Sequence, residues 1–205
     1  MQGKDMQIIQ VDGKILSPGK IRQGDRVYNG MRVWQPERSK VAALLSLGDN
    51  PSIIGSKVLY LGAAAGTTVS FISDYAEVVY AVEFSPRPMQ HLVSLTMERT
   101  NIVPIFADAR DPGRYMPLIE SVDVLIQDIA QRDQAEIAAI NTLFIRNGGE
   151  FVLFLKMLSI DVAGDQDIIC QMAVTRVKQA GISDIRVIKM DKFYTGHVAI
   201  LGTRL

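Results

Sequence analysis

Lys156 is a charged residue at the end of an apolar segment, and it is a candidate general base. It follows the run "EFVLFL", so its ammonium group is expected at the carboxyl edge of a buried strand. A second cation nearby would lower its pKa towards neutrality and let it accept a proton. Asp128 ends the preceding run, "VDVLIQD", and is expected in the same crevice. Lys40, in "WQPERSKVAALL", begins a predicted helix and is the candidate second cation.

Each of these polar residues also has a simpler interpretation. Lys156 and Asp128 could form a salt bridge at the strand ends, and Lys40 could be a solvated residue of a first helical turn. His197 opens the last predicted strand, directly after Gly196. A lone histidine is more often structural than catalytic, so the residues alone leave its role open.

The segment "KVLYLGAAAGTT", residues 57–68, has the pattern of a turn between a buried strand and a helix. Gly62 and Gly66 would let the backbone approach a ligand closely. A dinucleotide fingerprint has a middle glycine that admits the pyrophosphate, and Ala64 stands at that position. The spacing therefore favours S-adenosylmethionine, which has an adenosine but no pyrophosphate. An NAD-binding oxidoreductase is the alternative.

Two acids stand at the ends of the next strand candidates. Glu83 follows Gly62 by 21 residues and could accept hydrogen bonds from both ribose hydroxyls of an adenosine. Asp108 lies just beyond the third strand, where it could bind the adenine amino group. Ligands of open α/β sheets bind beyond the carboxyl ends of the strands, so these residues are expected at one site.

The elements that position these residues alternate between apolar strands and helices. Such alternation predicts a parallel α/β sheet covered on both faces. Strands are predicted at 57–61, 78–83, 102–106, 122–127, 149–156, 185–190 and 197–201. Helices are predicted at 67–75, 87–99, 131–145 and 166–180. The "DKFYTG" connection between the last two strands is too short for a parallel crossover, so an antiparallel hairpin is expected there, as in a methyltransferase.

The N-terminal region has a different pattern. Short β-like pieces at 6–9, 15–16, 27–28 and 31–34 are separated by the dipeptides Asp12-Gly13, Pro18-Gly19 and Asn29-Gly30. This density of turn signals predicts a small antiparallel sheet. We therefore divide the chain into residues 1–50, a β subdomain with its connecting helix, and residues 51–205, a methyltransferase domain.

Composition and charge restrict the class of protein. Of 205 residues, 48% are hydrophobic and 21% charged, which is an ordinary globular balance. The single Cys170 excludes an internal disulfide or a cysteine-cluster metal site, and no metal site is predicted. No apolar run approaches the roughly 18 residues of a membrane span, and the N-terminus has no signal-like apolar core. We expect a cytoplasmic protein without membrane partners.

The charge is zero overall but unevenly distributed. The first forty residues hold eight basic and four acidic residues, a net charge of +4, and the remainder carries −4. An ordinary solvated surface explains this, and so does a basic N-terminal face that meets phosphate. Overall neutrality argues against strong nucleic-acid binding by this chain alone.

Several long motifs, in order and over nearly the whole chain, resemble the archaeal fibrillarin-like RNA 2′-O-methyltransferases. They are "RVWQPERSKVAALL", "KVLYLGAAAGTTVSFISD", "VYAVEFSPR", "NIVPIFADARDP", "VDVLIQDIAQRDQ", "LKMLSIDV" and "FYTGHVAILG". The resemblance implies a Rossmann-like S-adenosylmethionine-dependent methyltransferase fold, with a seven-stranded sheet whose last strand is antiparallel. The glycine- and arginine-rich extension of the eukaryotic nucleolar form does not occur in this sequence.

The resemblance also implies roles for individual residues. The catalytic set it implies is Lys40, Asp128, Lys156 and His197, which raises His197 from an open case to a predicted catalytic residue. Asp128 would orient Lys156. The residues implied to bind the donor are Gly62, Ala63, Gly66, Thr67, Thr68, Glu83, Phe84, Asp108, Ala109, Asp128 and Gln131. Ala65, where the family has serine, and Met157-Leu158, where it has polar and basic residues, depart from the pattern.

By the same resemblance, the chain is expected to be the catalytic subunit of a box C/D guide ribonucleoprotein. Its partners would be a guide RNA, target pre-rRNA or tRNA, a Nop-type scaffold and a kink-turn-binding ribosomal protein. Guide pairing would supply sequence specificity, so the enzyme needs no base-reading surface. A non-catalytic assembly module is the other alternative, and it would keep the fold but lose donor binding.

Overall fold

The N-terminal sheet is a small antiparallel unit. The structure, a computed structural model, describes residues 7–205. The strands, in the order β1-β2-β4-β3, are β1 (Ile9–Val11), β2 (Lys14–Ser17), β3 (Val27–Tyr28) and β4 (Met31–Trp34). Asp12-Gly13 and Asn29-Gly30 form the two-residue hairpin turns, with φ between 49° and 74°, as such turns require. The strand predicted at 6–9 starts outside the described residues, and β1 begins at Ile9.

The second sheet has seven strands in the order β10-β11-β9-β8-β5-β6-β7. Their bounds are β5 (Lys57–Leu61), β6 (Val78–Glu83), β7 (Ile102–Phe106), β8 (Val122–Gln127), β9 (Ile145–Lys156), β10 (Ile182–Lys189) and β11 (His197–Arg204). Strand β11 is antiparallel to both of its neighbours, and the pairs among β5 to β9 are parallel. The predicted seven-stranded sheet with an antiparallel last strand is confirmed.

Among residues 7–205, five α-helices connect the strands, and the four whose bounds were predicted are shorter than predicted. They are α1 (Lys40–Ser46), α2 (Thr67–Ile72), α3 (Pro86–Thr96), α4 (Gln134–Asn141) and α5 (Gln166–Gln179). The helix predicted at 131–145 is wrong at both ends. Asp133 is the N-cap residue of α4, and Ile145 is the buried first residue of β9, paired with Val122.

The seven-stranded sheet is apolar on both faces because side chains alternate along each strand. Val58 and Tyr60 of β5 face a core that includes α1, α2, α3 and the N-terminal sheet. Leu59 and Leu61 face the other core, which is covered by α4 and α5. The sheet is therefore the middle layer, and the carboxyl ends of its parallel strands are left free to carry a site.

A buried arginine joins the two sheets. The Arg32 side chain in β4 is fully buried and binds Asp74, after α2, at 2.6 Å and Asp25 at 2.7 Å. It also binds the Ser70 hydroxyl at 2.8 Å and lies 3.9 Å above the Phe71 ring.

Within residues 7–205, no helix is both long and apolar enough to cross a membrane.

Candidate active site

Gly62 shapes the turn after β5. Its φ is +82°, and a Cβ at this position would lie 2.5 Å from the carbonyl oxygen of Asp128. A side chain is therefore disfavoured both by the backbone conformation and by a rigid neighbour. The amides of Gly62 and Ala63 both donate to the carbonyl of Val82 at 3.0 Å. The turn is held against the carboxyl ends of β6 and β8.

Glu83 is buried at the end of β6 and organises this turn. Its carboxylate accepts hydrogen bonds from the amides of Ala64 at 2.9 Å and Ser85 at 2.7 Å. A carboxylate can accept about four hydrogen bonds, so two positions stay available for a ligand's hydroxyl groups. The two amide contacts fix where those positions point.

A cavity of about 250 Å³ opens over this turn, and we call it the Glu83 cavity. The predicted donor-binding residues that line it are Gly62, Glu83, Phe84, Asp108, Ala109, Asp128 and Gln131. The structure thus brings residues from the ends of β5, β6, β7 and β8 to one place. Phe84 has 52% of its surface exposed, so its ring is available for stacking.

Four predicted donor-binding residues do not line the Glu83 cavity. Ala63 packs in the core, and Gly66 lets α3 approach, since a Cβ there would lie 2.9 Å from the methyl groups of Leu92 and Leu95. Thr68 donates to the Ser39 hydroxyl at 3.1 Å. The fourth, Thr67, lines a different cavity, on the side of the N-terminal sheet.

Arg110 is a residue of this cavity that sequence reasoning missed. It binds Asp133 at 2.7 Å and contacts Asp108 at 3.4 Å and the Gln131 side chain at 3.5 Å. The hydrogen bond that the Arg110 guanidinium donates to Asp133 raises the pKa of Arg110. Arg110 therefore links Asp108 and Gln131, two of the predicted donor-binding residues. Its place between Asp108 and the "DP" turn carried no signal of this in the sequence.

Lys40 and Asp128 form the centre of the charged cluster. The Lys40 ammonium lies 2.6 Å from the Asp128 carboxylate, and both side chains are mostly buried. Asp128 was predicted to orient Lys156, but the structure pairs it with Lys40. The reason is that Ser39 caps α1 and directs Lys40, the first residue of the helix, towards the end of β8. Among the described residues, Lys156 forms no ion pair within 4 Å.

His197 lies beside Lys156, because the two are Cα partners in the pairing of β11 with β9. Burial lowers the pKa of His197, the cations Lys40 and Lys156 lower it further, and Asp128 opposes them. Its Nδ1 lies 3.0 Å from the carbonyl of Thr195 and must be the protonated nitrogen, since a carbonyl only accepts. The imidazole is thus uncharged near neutral pH, with Nε2 as an acceptor.

All four predicted catalytic residues therefore belong to one cluster, and Tyr194 completes it. The Tyr194 ring lies 5.7 Å from the His197 ring and 5.3 Å from the Lys40 ammonium. Burial and then the Asp128 carboxylate raise the pKa of Tyr194 to about 12, so its phenol stays neutral. The "FYTG" motif contained this residue, but nothing in its spacing indicated the contact.

Gln134 is a buried polar residue that positions Lys156. Its side-chain oxygen accepts from the Lys156 amide at 2.8 Å, and its side-chain nitrogen donates to the Lys156 carbonyl at 3.1 Å. The Gln134 carbonyl in turn accepts from the side chain of Gln127 at 2.6 Å. This clamp holds the end of β9 against the start of α4. A glutamine at the start of a predicted helix gave no hint of it.

The cluster and the Glu83 cavity share Asp128, which pairs with Lys40 and also lines the cavity. A ligand in the cavity would therefore end beside two lysines and a neutral histidine. Such a centre can orient a hydroxyl group, accept its proton and stabilise the negative charge that develops on its oxygen.

The sequence of this chain matches a known protein family. The sequence model of a family described as fibrillarin matches residues 6–204. A curated protein of Methanospirillum hungatei, called fibrillarin-like rRNA/tRNA 2′-O-methyltransferase, is 54% identical over 195 residues, which is 95% of each chain.

Two solved structures are similar throughout. The structure of a fibrillarin/Nop5p complex matches with a TM-score of 0.84 and 34% identity, over 95% of this chain and 96% of that one. The Aeropyrum pernix fibrillarin with natively bound S-adenosylmethionine matches with a TM-score of 0.81 and 36% identity, over 93% of this chain and 88% of that one.

Proposed function

This chain belongs to the fibrillarin family, and from that membership we propose its function. It transfers a methyl group from S-adenosylmethionine to ribose 2′-hydroxyls of pre-rRNA and tRNA, as the catalytic subunit of a box C/D guide ribonucleoprotein. The observation that carries the proposal is the position of Asp128, between the Glu83 cavity and the two lysines. It supports a donor site next to the groups that would transfer the proton.

The residues of the Glu83 cavity fit an adenosine donor. The two free acceptor positions of Glu83 suit ribose hydroxyls, and Phe84 can stack on the adenine ring. The missing Cβ of Gly62 lets the backbone of Asp128, another residue of the cavity wall, pack against the turn. When bound, S-adenosylmethionine supplies an activated methyl group.

The same turn argues against NAD. A pyrophosphate would need free backbone amides in the loop, and the amide of Ala64 is already bound to Glu83 at 2.9 Å. Ala64 also lines the Glu83 cavity, at the position where a dinucleotide fingerprint has its middle glycine. Titration calorimetry with NAD and with S-adenosylmethionine separates the two alternatives, and we expect heat only from the latter.

In the proposed reaction, the charged cluster removes the proton of the target hydroxyl. A 2′-hydroxyl is a poor nucleophile, so its proton must leave as its oxygen bonds to the methyl carbon and the bond between that carbon and the donor sulfur breaks. Lys156 accepts this proton as an uncharged amine, or it stabilises the alkoxide as an ammonium group while Nε2 of the neutral His197 accepts the proton. The Lys40–Asp128 pair keeps both groups next to the methyl end of the Glu83 cavity.

A Nop-type scaffold is the partner that the likeness to the fibrillarin/Nop5p complex supports. We extend the assembly to a box C/D guide RNA, the target RNA and a kink-turn-binding ribosomal protein. The zero net charge of the chain supports this, because a neutral enzyme needs other subunits to hold RNA. The isolated chain is therefore expected to bind target RNA weakly.

Reconstitution tests the function directly. The chain, a Nop-type scaffold, a kink-turn-binding protein and a box C/D guide RNA are combined with a target RNA, and the modified ribose is mapped. We expect one methyl group on the ribose that the guide specifies. No transfer by the complete particle, or equally specific transfer by the chain alone, would contradict the proposal.

The variant Lys156→Ala tests the proposed role of this lysine in proton transfer. It removes the ammonium group while leaving the backbone clamp of Gln134 in place. We expect transfer to fall by at least about 100-fold, the range of a lost general base, with donor binding unchanged. Lys178→Ala, an exposed lysine of α5, is the control and should behave like the wild type. Turnover retained in Lys156→Ala would remove this lysine from the mechanism.

A further inference from the structure

A second cavity, of about 220 Å³, lies between the N-terminal sheet and α2 and shares no lining residue with the Glu83 cavity. Residues on its wall include Arg22, Arg26, Trp34, Arg38, Ser39 and Thr67, and we call it the Arg22 cavity. Ser39 directly precedes Lys40 in the sequence and contacts Thr68 at 3.1 Å. The Arg22 cavity therefore adjoins the catalytic cluster from the side of the N-terminal sheet.

The wall of the Arg22 cavity is strongly cationic. Arg22, Arg26 and Arg38 form no ion pair within 4 Å to any carboxylate of residues 7–205. The one acid on the wall, Asp25, is bound by the buried Arg32 at 2.7 Å, which balances its charge. Three guanidinium groups of the described residues therefore line the cavity without a carboxylate partner within 4 Å. Guanidinium groups bind phosphate oxygens through two parallel hydrogen bonds.

A buried donor on the same wall also lacks a partner. Trp34 is fully buried, its ring stacks on Phe71 at 5.3 Å, and its Nε1 forms no hydrogen bond among the described residues. An indole N–H only donates, so it requires an acceptor. Buried polar groups in proteins almost always have a partner. An anionic oxygen in the Arg22 cavity would supply one, and a cation would not.

We propose that the Arg22 cavity binds a phosphodiester group of the target RNA strand next to the modified nucleotide. This inference rests on the proposed function, because it concerns the substrate of the same active site. Ser39, on the wall of this cavity, directly precedes Lys40, so a strand whose 2′-hydroxyl reaches the charged cluster would bring a neighbouring phosphodiester close to the cavity. The contact is with the backbone, so it holds the target at any sequence that the guide selects.

The first test uses the reconstituted particle with Arg22→Gln/Arg26→Gln. We expect the KM for target RNA to rise about tenfold or more and the KM for S-adenosylmethionine to stay unchanged. The slope of log KM against log salt should fall by about one for each lost phosphate contact. Arg146→Gln is the matched control at the amino-terminal edge of the sheet, where Arg146 pairs with Asp123, and it should leave both KM values unchanged.

The second test locates the phosphate. Target RNAs with one neutral methylphosphonate linkage each are compared, and one linkage beside the modified nucleotide should raise the KM of the wild-type particle. That linkage should have no further effect in the double variant, because both changes remove the same contact. Trp34→Phe, which keeps the stacked ring but lacks the N–H, should raise the KM for the same target in the same direction.

The outcomes separate the two proposals. A wild-type particle that transfers no methyl group overturns the proposed function. If the wild-type particle methylates normally, two results would overturn the Arg22 cavity as a phosphate site and leave the proposed function standing. One is an unchanged KM for target RNA in the double variant. The other is that no single methylphosphonate linkage raises the KM of the wild type while having no effect in the double variant. A rise in the KM for S-adenosylmethionine alone would assign the cavity to the donor's carboxylate, which also contradicts the inference.

Discussion

The imidazole of His197 is kept uncharged by its surroundings. Burial and two neighbouring lysines lower its pKa, so a proton enters the ring only at a more acidic pH than in a solvated histidine. A charged His197 would lose its acceptor nitrogen and would repel Lys40 and Lys156. The residue is therefore useful to the proposed reaction only in the environment that the fold builds around it.

This environment predicts that the stability of the folded chain depends on pH through His197. The pKa of His197 in the folded chain lies below the unfolded value of about 6.5, so the unfolded chain takes up a proton first as the pH falls. The stability that His197 contributes is fully present above pH 6.5 and is lost as the pH falls towards the lowered pKa. NMR titration of a His91→Gln variant, in which His197 is the single histidine, should give a pKa below 6.5.

The control is chemical denaturation of His197→Gln at pH 7.5 and pH 5.5. Between pH 7.5 and pH 5.5, the free energy of unfolding should fall less in this variant than in the wild-type chain. A pKa for His197 at or above 6.5 would mean that the imidazole is charged in the site, contrary to its proposed role.

At the scale of elements, the site depends on where β9 ends. Gln134, at the start of α4, binds both the amide and the carbonyl of Lys156, and this stops the strand at a defined residue. The predicted helix started three residues too early because the sequence between Gln131 and Gln134 is as polar as a first helical turn. The side chain of Gln134 binds the backbone at the end of β9, and a helical pattern in the sequence cannot indicate that contact.

Gln134→Leu tests this clamp. It leaves the amide and carbonyl of Lys156 without partners, and each unpaired buried group costs about 1–3 kcal/mol, so we expect a loss of about 2–6 kcal/mol. For a chain of this size the melting temperature should fall by roughly 4–24 °C. Since Gln134 acts through Lys156, the turnover number should also fall while donor affinity, measured by calorimetry, stays unchanged.

Gln171→Leu provides the matched control, since Gln171 is an exposed residue of α5. It should change the melting temperature by no more than about 2 °C, as for other exposed substitutions. If Gln134→Leu loses stability without any loss of turnover, Gln134 is structural and does not position Lys156.

At the scale of the whole molecule, a network of buried charges joins the N-terminal sheet to the larger one. Arg32 is bound by Asp25 and Asp74, and Asp74 is shared with Arg99 at 3.1 Å. Two arginines and two aspartates balance each other in this network. Because the Arg22 cavity lies between the same two parts, the network also keeps its cationic wall in place.

Arg32→Met should loosen this junction. It leaves two carboxylates with reduced compensation in a buried site, and breaking such a pair costs about 3–5 kcal/mol. We expect this loss in urea unfolding, with early proteolysis in residues 18–26. Arg114→Met is the control, since Arg114 pairs with Asp111 at the surface and such pairs contribute about 0–1 kcal/mol. Equal losses in the two variants would show that the buried network adds nothing.

The sequence by itself determined the order and type of the elements, the antiparallel last strand and the turn at Gly62. These features depend on local patterns: hydrophobic alternation, the length of a connection, and glycine where the backbone needs it. It also named every member of the charged cluster except Tyr194. Within the predicted donor-binding set, Gly66 serves helix packing and Thr67 faces another cavity.

The partners within the site were decided only by the tertiary structure. Lys40 and Asp128 are 88 residues apart, and sequence reasoning paired Asp128 with Lys156 instead. The Gln134 clamp, the Arg110 network and the Arg22 cavity are likewise formed by residues from separate elements. The physical reason is that a side chain's partner depends on where the strands and helices pack, and no pattern within a single segment contains that information.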